Sequence, residues 1–362
     1  MGQNFFEVLG IANIERIHSQ MWLYFFNSNF LDNKQKSFIL NKLFKTKGKY
    51  TNFECFTEYD SIDIFIVADH EYYAIENKVK ISQHGNQLSK YYNNLKNKGK
   101  ARPHCVYLSL IGEDSLNSHW LSRSYSELFS ILRKLYFNRP SSLSELIFNE
   151  YVDNLRRLVE IFSKFCHNHN NFPQIFWDGG KTREEKIKLM ERGYYENEDQ
   201  KYIALNQLET IFQKSFLLQI VKELRVDLQS DEVPLKKLPQ AHIDESHGTA
   251  LLHIDVLDGR DKRFIFGVQF QSNTAKLVYS KKDYIHSSKS ELGKNLGIFK
   301  TIGAKLGLKF SPPKTKAYMS LSKPMGDKDI WKNDFNSILH IYKEVLKEYS
   351  NLIKKIRLEL KN

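Results

Sequence analysis

Along the first thirty residues the apolar positions of NFFEVLGIANIERIHSQMWLYFFNS fall at threes and fours, the spacing of a helix that buries one face. The pattern predicts helix over 4–30 and again over 35–46. The texture then changes. FECFTEYDSIDIFIVADHEYYAIENKVKI is rich in Ile, Val, Phe and Tyr and is broken by ADHE, which predicts paired strands at 61–67 and 72–80. Gly85 and Asn86 interrupt, and NQLSKYYNNLKNK returns to helical spacing over 86–98. RPHCVYLSLIG, bounded by Pro103 and Gly112, reads as a buried strand. Helices follow near 124–136 and 142–165. Strands alternating with helices point to an α/β fold with a mixed sheet flanked by helices.

CHNHNNFPQIFWDGGK breaks the pattern at 166–181, where Pro173, Gly179 and Gly180 mark a linker or long loop. Helices are expected at 182–192 and 202–226. Beyond Thr249 the strands TALLHIDVL, RFIFGVQFQ and AKLVYS appear, the first two joined by the hairpin signal DGRDK. The Phe and Tyr of 264–284 fit strand packing better than base stacking. SELGKNLGIFKTIGAKLG is a glycine-interrupted helix, and the last thirty residues form a long amphipathic one. The expected organisation is a domain over 1–165, a linker and helical connector over 166–230, and an α+β domain over 231–362.

Composition adds three constraints. Of 362 residues, 41% are hydrophobic and 13% aromatic, enough to build cores and exclude a disordered chain. Three widely spaced cysteines form neither a disulfide framework nor a CxxC pair, as in a reducing cytoplasm. No apolar run approaches the ~18 residues of a membrane span, and no signal-peptide layout opens the chain. The net charge of +12 calls for an anionic partner, and nucleic acid is the commonest. The charge is uneven: ten lysines lie between Lys276 and Lys316, opposed only by Asp283 and Glu291. A lysine-rich, arginine-free run suits phosphate contact better than base reading, the plain alternative being a solvated surface.

Candidate chemistry sits in the two strands at 61–67 and 72–80. Side chains alternate along a strand, so Glu76 and Lys78 share a face, about 7 Å apart. If the strands pair, Asp63 lies opposite them. Two carboxylates then converge beside a lysine, an arrangement that costs free energy unless a cation joins it. Oxygen ligands favour Mg²⁺, with Mn²⁺ as a substitute, and a neighbouring lysine can orient a water for attack on a phosphodiester. The plain alternative is a cross-strand ion pair at a sheet edge.

SIDIFIV with Asp63, AIENKV with Glu76 and Lys78, and NQLSKYY with Gln87 and Tyr91 resemble the PD-(D/E)XK nuclease superfamily. They look most like its bacterial and phage subgroup with ID(I/L)(I/L)…ENK…QLxxY. IERIHSQMWLYFF resembles that subgroup's first helix, and the likeness covers about residues 4–165. It implies a restriction-endonuclease-like core in which Asp63 and Glu76 bind metal, joined by the carbonyl of Asn77. Lys78 positions the attacking water, and Gln87 and Tyr91 border the metal site and hold the substrate backbone. Glu15 would be an additional acid near the metal, with His18 and Ser19 nearby; Glu7 competes for that place. Ile62 stands where the naming proline would be, and Gln83 where an extra acid is often found.

The expected function is thus a metal-dependent nuclease, acting on DNA ahead of RNA, in phage defence or mobile-element biology. A homodimer is an open expectation, since many members dimerise. The alternatives are a nucleic-acid-binding or sensor protein whose nuclease core is structural, and an interaction scaffold. Other signals are weaker. Cys166, His167 and His169 lack a second metal-ligand pair, His242, His247, His253 and Asp255 fit no helical metal motif, and Gly293, Gly297, Gly303 and Gly307 form no phosphate-binding loop.

Overall fold

The computed structural model describes residues 4–11, 14–80, 86–100, 102–177, 182–228, 241–246, 249–258, 263–283, 286–293, 295–314 and 316–360. Gly85, Gln83, Gly179, Gly180, His247 and most of DGRDK lie outside them. The chain divides into two compact units, Met1–Lys164 with Tyr202–Ile211, and Phe165–Lys201 with Phe212–Asn362.

The first unit is built on a five-stranded mixed sheet in the order β1 (Phe53–Tyr59), β2 (Ile62–Ala68), β3 (Glu71–Lys78), β4 (His104–Ser109), β5 (Trp120–Ser124). β1, β2 and β3 run antiparallel, and β4 and β5 continue parallel to β3. Asp60 and Ser61 both have positive φ, 52° and 69°, as a two-residue hairpin turn requires. A parallel β3–β4 pair needs a crossover, supplied by α4 (Gln87–Asn97). Leu88, Tyr91 and Leu95 share one face of α4 and pack on Phe65, Ala74, Cys105, Tyr107 and Trp120. The opposite face of the sheet is covered by α2 (Glu15–Asn27), α3 (Asn33–Phe44) and α5 (Tyr125–Leu132). α6 (Leu143–His167) lays Phe148 and Tyr151 against Phe25.

The helix expected over 4–30 is two pieces. α1 (Phe5–Val8) stops at Gly10, whose φ is 68°, and α2 begins at Glu15. β1 and β5 were not foreseen. β1 is an edge strand in which only Cys55 is buried, so its apolar positions alternate with Glu54 and Glu58 and lack the continuous apolar run that marks β2.

In the second unit a six-stranded antiparallel sheet runs β10 (Lys309–Ser311), β11 (Tyr318–Pro324), β9 (Thr274–Lys281), β8 (Phe264–Gln271), β7 (Thr249–Asp258), β6 (Ala241–Ser246). α10 (Asn295–Leu306) and α11 (Phe335–Glu359) cover one face: Phe299 packs near Phe266 and Tyr279, and Tyr342 stacks on Phe270 at 4.3 Å. The aromatic residues of β8 and β9 are therefore core. α7 (Arg183–Glu191) precedes α8 (Glu198–Leu205) and α9 (Glu209–Leu228). The single helix expected at 202–226 is divided between these last two, parted at Gln207 with φ 53°. No helix among the described residues is long and apolar enough to cross a membrane.

Candidate active site

β2 and β3 pair in the register Ile64 to Ile75, and their ladder ends there. One step beyond, Asp63 and Glu76 face each other by register. Here the Asp63 carboxylate accepts the backbone N–H of Asn77 at 2.7 Å. Lys78 Nζ lies 2.7 Å from Glu76 Oε1 and 3.9 Å from Asp63 Oδ2. Strand alternation thus gathers Asp63, Glu76 and Lys78 on the face that carries α4.

Glu76 is 1% exposed. Its Oε1 accepts from Lys78 and from Gln87 Nε2 at 3.0 Å, and Gln87 also donates to Tyr91 Oη at 2.7 Å. Gln87 and Tyr91, four apart on α4, therefore reach the site through one carboxylate oxygen. Glu76 Oε2 is buried with no hydrogen-bond partner. Burial pushes the Glu76 carboxyl up to about 7, nearby Asp63 adds to the rise, and Lys78 offsets part of it. Burial likewise raises Asp63 against the pull of Lys78. Burial works to lower Lys78, but Glu76 and Asp63 outweigh it and hold the ammonium above its ordinary value. With both acids ionised, two carboxylates face one lysine and the cluster lacks one positive charge.

Asn77 points the other way. Its amide donates to the Glu15 carbonyl at 3.4 Å, and its Oδ1 accepts from Tyr125 Oη at 2.7 Å. Glu15 is close, but its Oε1 is occupied by the backbone N–H groups of Val79 and Lys80, at 2.7 and 3.1 Å. It holds the end of β3 and the residues after it. His18 is buried, with Nδ1 3.0 Å from Tyr151 Oη. The Ser19 hydroxyl donates to the Glu15 carbonyl at 3.3 Å. Glu7 lies elsewhere: burial raises its carboxyl, and Arg157 is its counter-charge. Tyr125 went unnoticed in the sequence. Its signal was local, the capping box of Ser124 and Glu127, which starts α5 directly after β5 and puts Tyr125 at the first helical position.

Residues 3–167 match the profile of the PD-(D/E)XK nuclease superfamily. This segment is similar to members of that superfamily. No curated protein and no solved structure matches the chain. PD-(D/E)XK proteins are in general phosphodiester hydrolases that use divalent metals. Among the described residues no group of three or more His, Cys, Asp or Glu side chains is arranged to hold a metal ion. The donors here are two carboxylates, to which backbone carbonyl and water can be added, a set that suits a hard divalent cation. The bare, buried Glu76 Oε2 fits such an ion.

The weaker clusters resolve as structure. His169 is buried among Phe176, Phe216 and Phe335, with Nε2 3.1 Å from the Asn333 carbonyl. His253 Nε2 lies 2.8 Å from Asp255 Oδ1, and its ring stacks on His242. Cys55, Cys105 and Cys166 are free, and burial raises all three thiols.

Proposed function

We propose that the first unit is a Mg²⁺-dependent nuclease that hydrolyses phosphodiester bonds within DNA. The observation that carries this reading is Glu76: a buried carboxylate with one oxygen bare, facing Asp63, beside a single lysine. A buried acid facing a half-buried one, with a single lysine between them, is costly as pure structure and apt as a cation site. Asp63, Glu76 and the Asn77 carbonyl would hold the ion, which supplies Lewis-acid stabilisation of charge on the phosphoryl oxygens. Lys78 orients the attacking water and adds positive charge where negative charge develops. Gln87 keeps Glu76 Oε1 engaged, which would leave Oε2 for the ion, and Gln87 would border the path of the substrate backbone with Tyr91, largely buried on α4, behind it. Glu15 supports the site by fixing Val79 and Lys80. Phage defence or mobile-element biology is the setting that the likeness to bacterial and phage members suggests.

The test is cleavage of supercoiled plasmid, linear duplex, single-stranded DNA and RNA in Mg²⁺, Mn²⁺ or EDTA. The wild type should nick or linearise plasmid with Mg²⁺ or Mn²⁺ and not with EDTA. Lys78→Ala and Asp63→Ala should each lose about 100-fold or more of the rate. Cleavage that survives both substitutions sinks the assignment. Binding without cleavage in any metal would support a binding or sensor protein instead.

A further inference from the structure

The chain from Leu292 to Gly326 holds seven lysines and no aspartate, glutamate or arginine. The structure sorts the lysines of this region. Lys281 pairs with Glu291 at 2.6 Å, Lys323 pairs with Glu348, and Lys276 is half-buried against Gln271. Lys300, Lys305, Lys309 and Lys314 are exposed, and among the described residues none has a carboxylate within ion-pair reach. Two of the four lie on α10, one is on the edge strand β10, and one follows it.

α10 has two unlike sides. Phe299, Ile302 and Gly303 face inward. A Cβ on Gly303 would come within 2.9 Å of Leu321 Cδ2 and 3.2 Å of the Leu308 carbonyl, so the glycine seats the helix closely on its support. Gly297, Lys300, Thr301, Ala304 and Lys305 fall at i, i+3, i+4, i+7 and i+8 and are all exposed. The outer stripe is thus small residues set between lysines, with no bulky or acidic side chain.

We propose that this face of α10 lies in the major groove of duplex DNA, with Lys300, Lys305, Lys309 and Lys314 on the flanking phosphates. The inference rests on the reading of the chain as a DNA nuclease, and gives that enzyme a sequence-independent hold on its substrate. An α-helix about 10–12 Å across fits a groove about 12 Å wide if its outer side chains are small. Lysines act as point charges and do not fork onto base edges as arginine does, so the grip follows the backbone and not the sequence. The deep, narrow major groove of duplex RNA excludes a helix, which favours DNA.

Fluorescence anisotropy of the full chain on a short labelled duplex, in EDTA, tests binding apart from cleavage. One variant carries Lys→Gln at 300, 305, 309 and 314. A charge-matched control carries Lys→Gln at the exposed Lys34, Lys347, Lys354 and Lys355. Over about 50–200 mM salt, the first should lose at least ~10-fold in affinity and flatten the log–log salt slope by about 0.9 per lost phosphate contact. The control should keep most of both. Ala304→Glu, an acid placed mid-stripe, should lose at least ~10-fold while leaving the buried side intact. The proposal is overturned if the quadruple variant binds no worse than the control, if Ala304→Glu binds like wild type, or if the same sequence as RNA duplex binds equally well. Loss of binding in these variants alongside a plasmid assay with no cleavage would keep the surface and remove the nuclease.

Discussion

Asn77 ties the two faces of the sheet together at a single residue. Its N–H is held by Asp63 on the side that carries α4, and its side chain by Tyr125 on the far side. The residues before and after it are the proposed ligand Glu76 and Lys78. A rotation of this peptide would displace both. Tyr125→Phe removes one hydroxyl and leaves Asn77 Oδ1 buried without its donor, which should cost about 1–3 kcal/mol in urea unfolding. If Tyr125 positions the site as well as stabilising it, cleavage should also fall about 10-fold under conditions where the variant is fully folded. Equal specific activity would confine Tyr125 to stability. At this scale the sequence was readable where a residue broke a pattern: Asp63, Glu76 and Lys78 are charged in segments that otherwise want burial. Tyr125 breaks no pattern, because a tyrosine at a helix start is as ordinary buried as exposed. The direction in which Glu15 turns its carboxylate was also hidden, since main-chain N–H groups leave no trace in residue types.

Burial made some strands legible and not others: β11 is an inner strand with Met319, Ser320 and Leu321 buried, yet its serines and lysine hid it. β2, β3 and β4 are surrounded by protein, and their runs of Ile, Val, Phe and Tyr marked them out. β10 is three residues long at an edge, and β6 is the other edge strand, carrying His242 and Asp244; neither has a strand's composition. Helix breaks at Gly10 and Gln207 depend on left-handed backbone, which glycine signals and glutamine does not. The glycines of α10 separate packing from openness within one helix. Gly303→Ala should destabilise by about 1–3 kcal/mol, because its methyl meets Leu321 and a backbone carbonyl. Gly297→Ala has open space around it and should stabilise by about 0.4–1 kcal/mol. Opposite shifts in the thermal midpoint would verify the orientation of α10. Two losses, or two gains, would show that the helix is turned differently.

For the molecule as a whole, acid is a selective stress. Burial among aromatic rings lowers His169 to about 4 from its ordinary 6.5, so folded protein excludes a proton that unfolded chain accepts between those values. The stability this residue contributes is full above pH 6.5 and is lost as pH falls towards 4, by about 1.4 kcal/mol per unit. Between pH 7 and 5 that amounts to about 2 kcal/mol. His169→Phe should flatten this part of the stability profile in the second unit, and an unchanged profile would assign acid sensitivity to other groups.

β3 lies in the middle of its sheet, bonded to β2 along one edge and to β4 along the other. Amides in such a strand exchange with solvent mainly when the whole sheet opens, whereas those of edge strands exchange through local fraying. Glu76 and Lys78 lie past the end of the β2 ladder, so their backbone is held by β4, opposite Tyr107 and Ser109, and on the other edge by the Asp63 carboxylate on the Asn77 N–H; their exchange would report the opening of the β3–β4 pair.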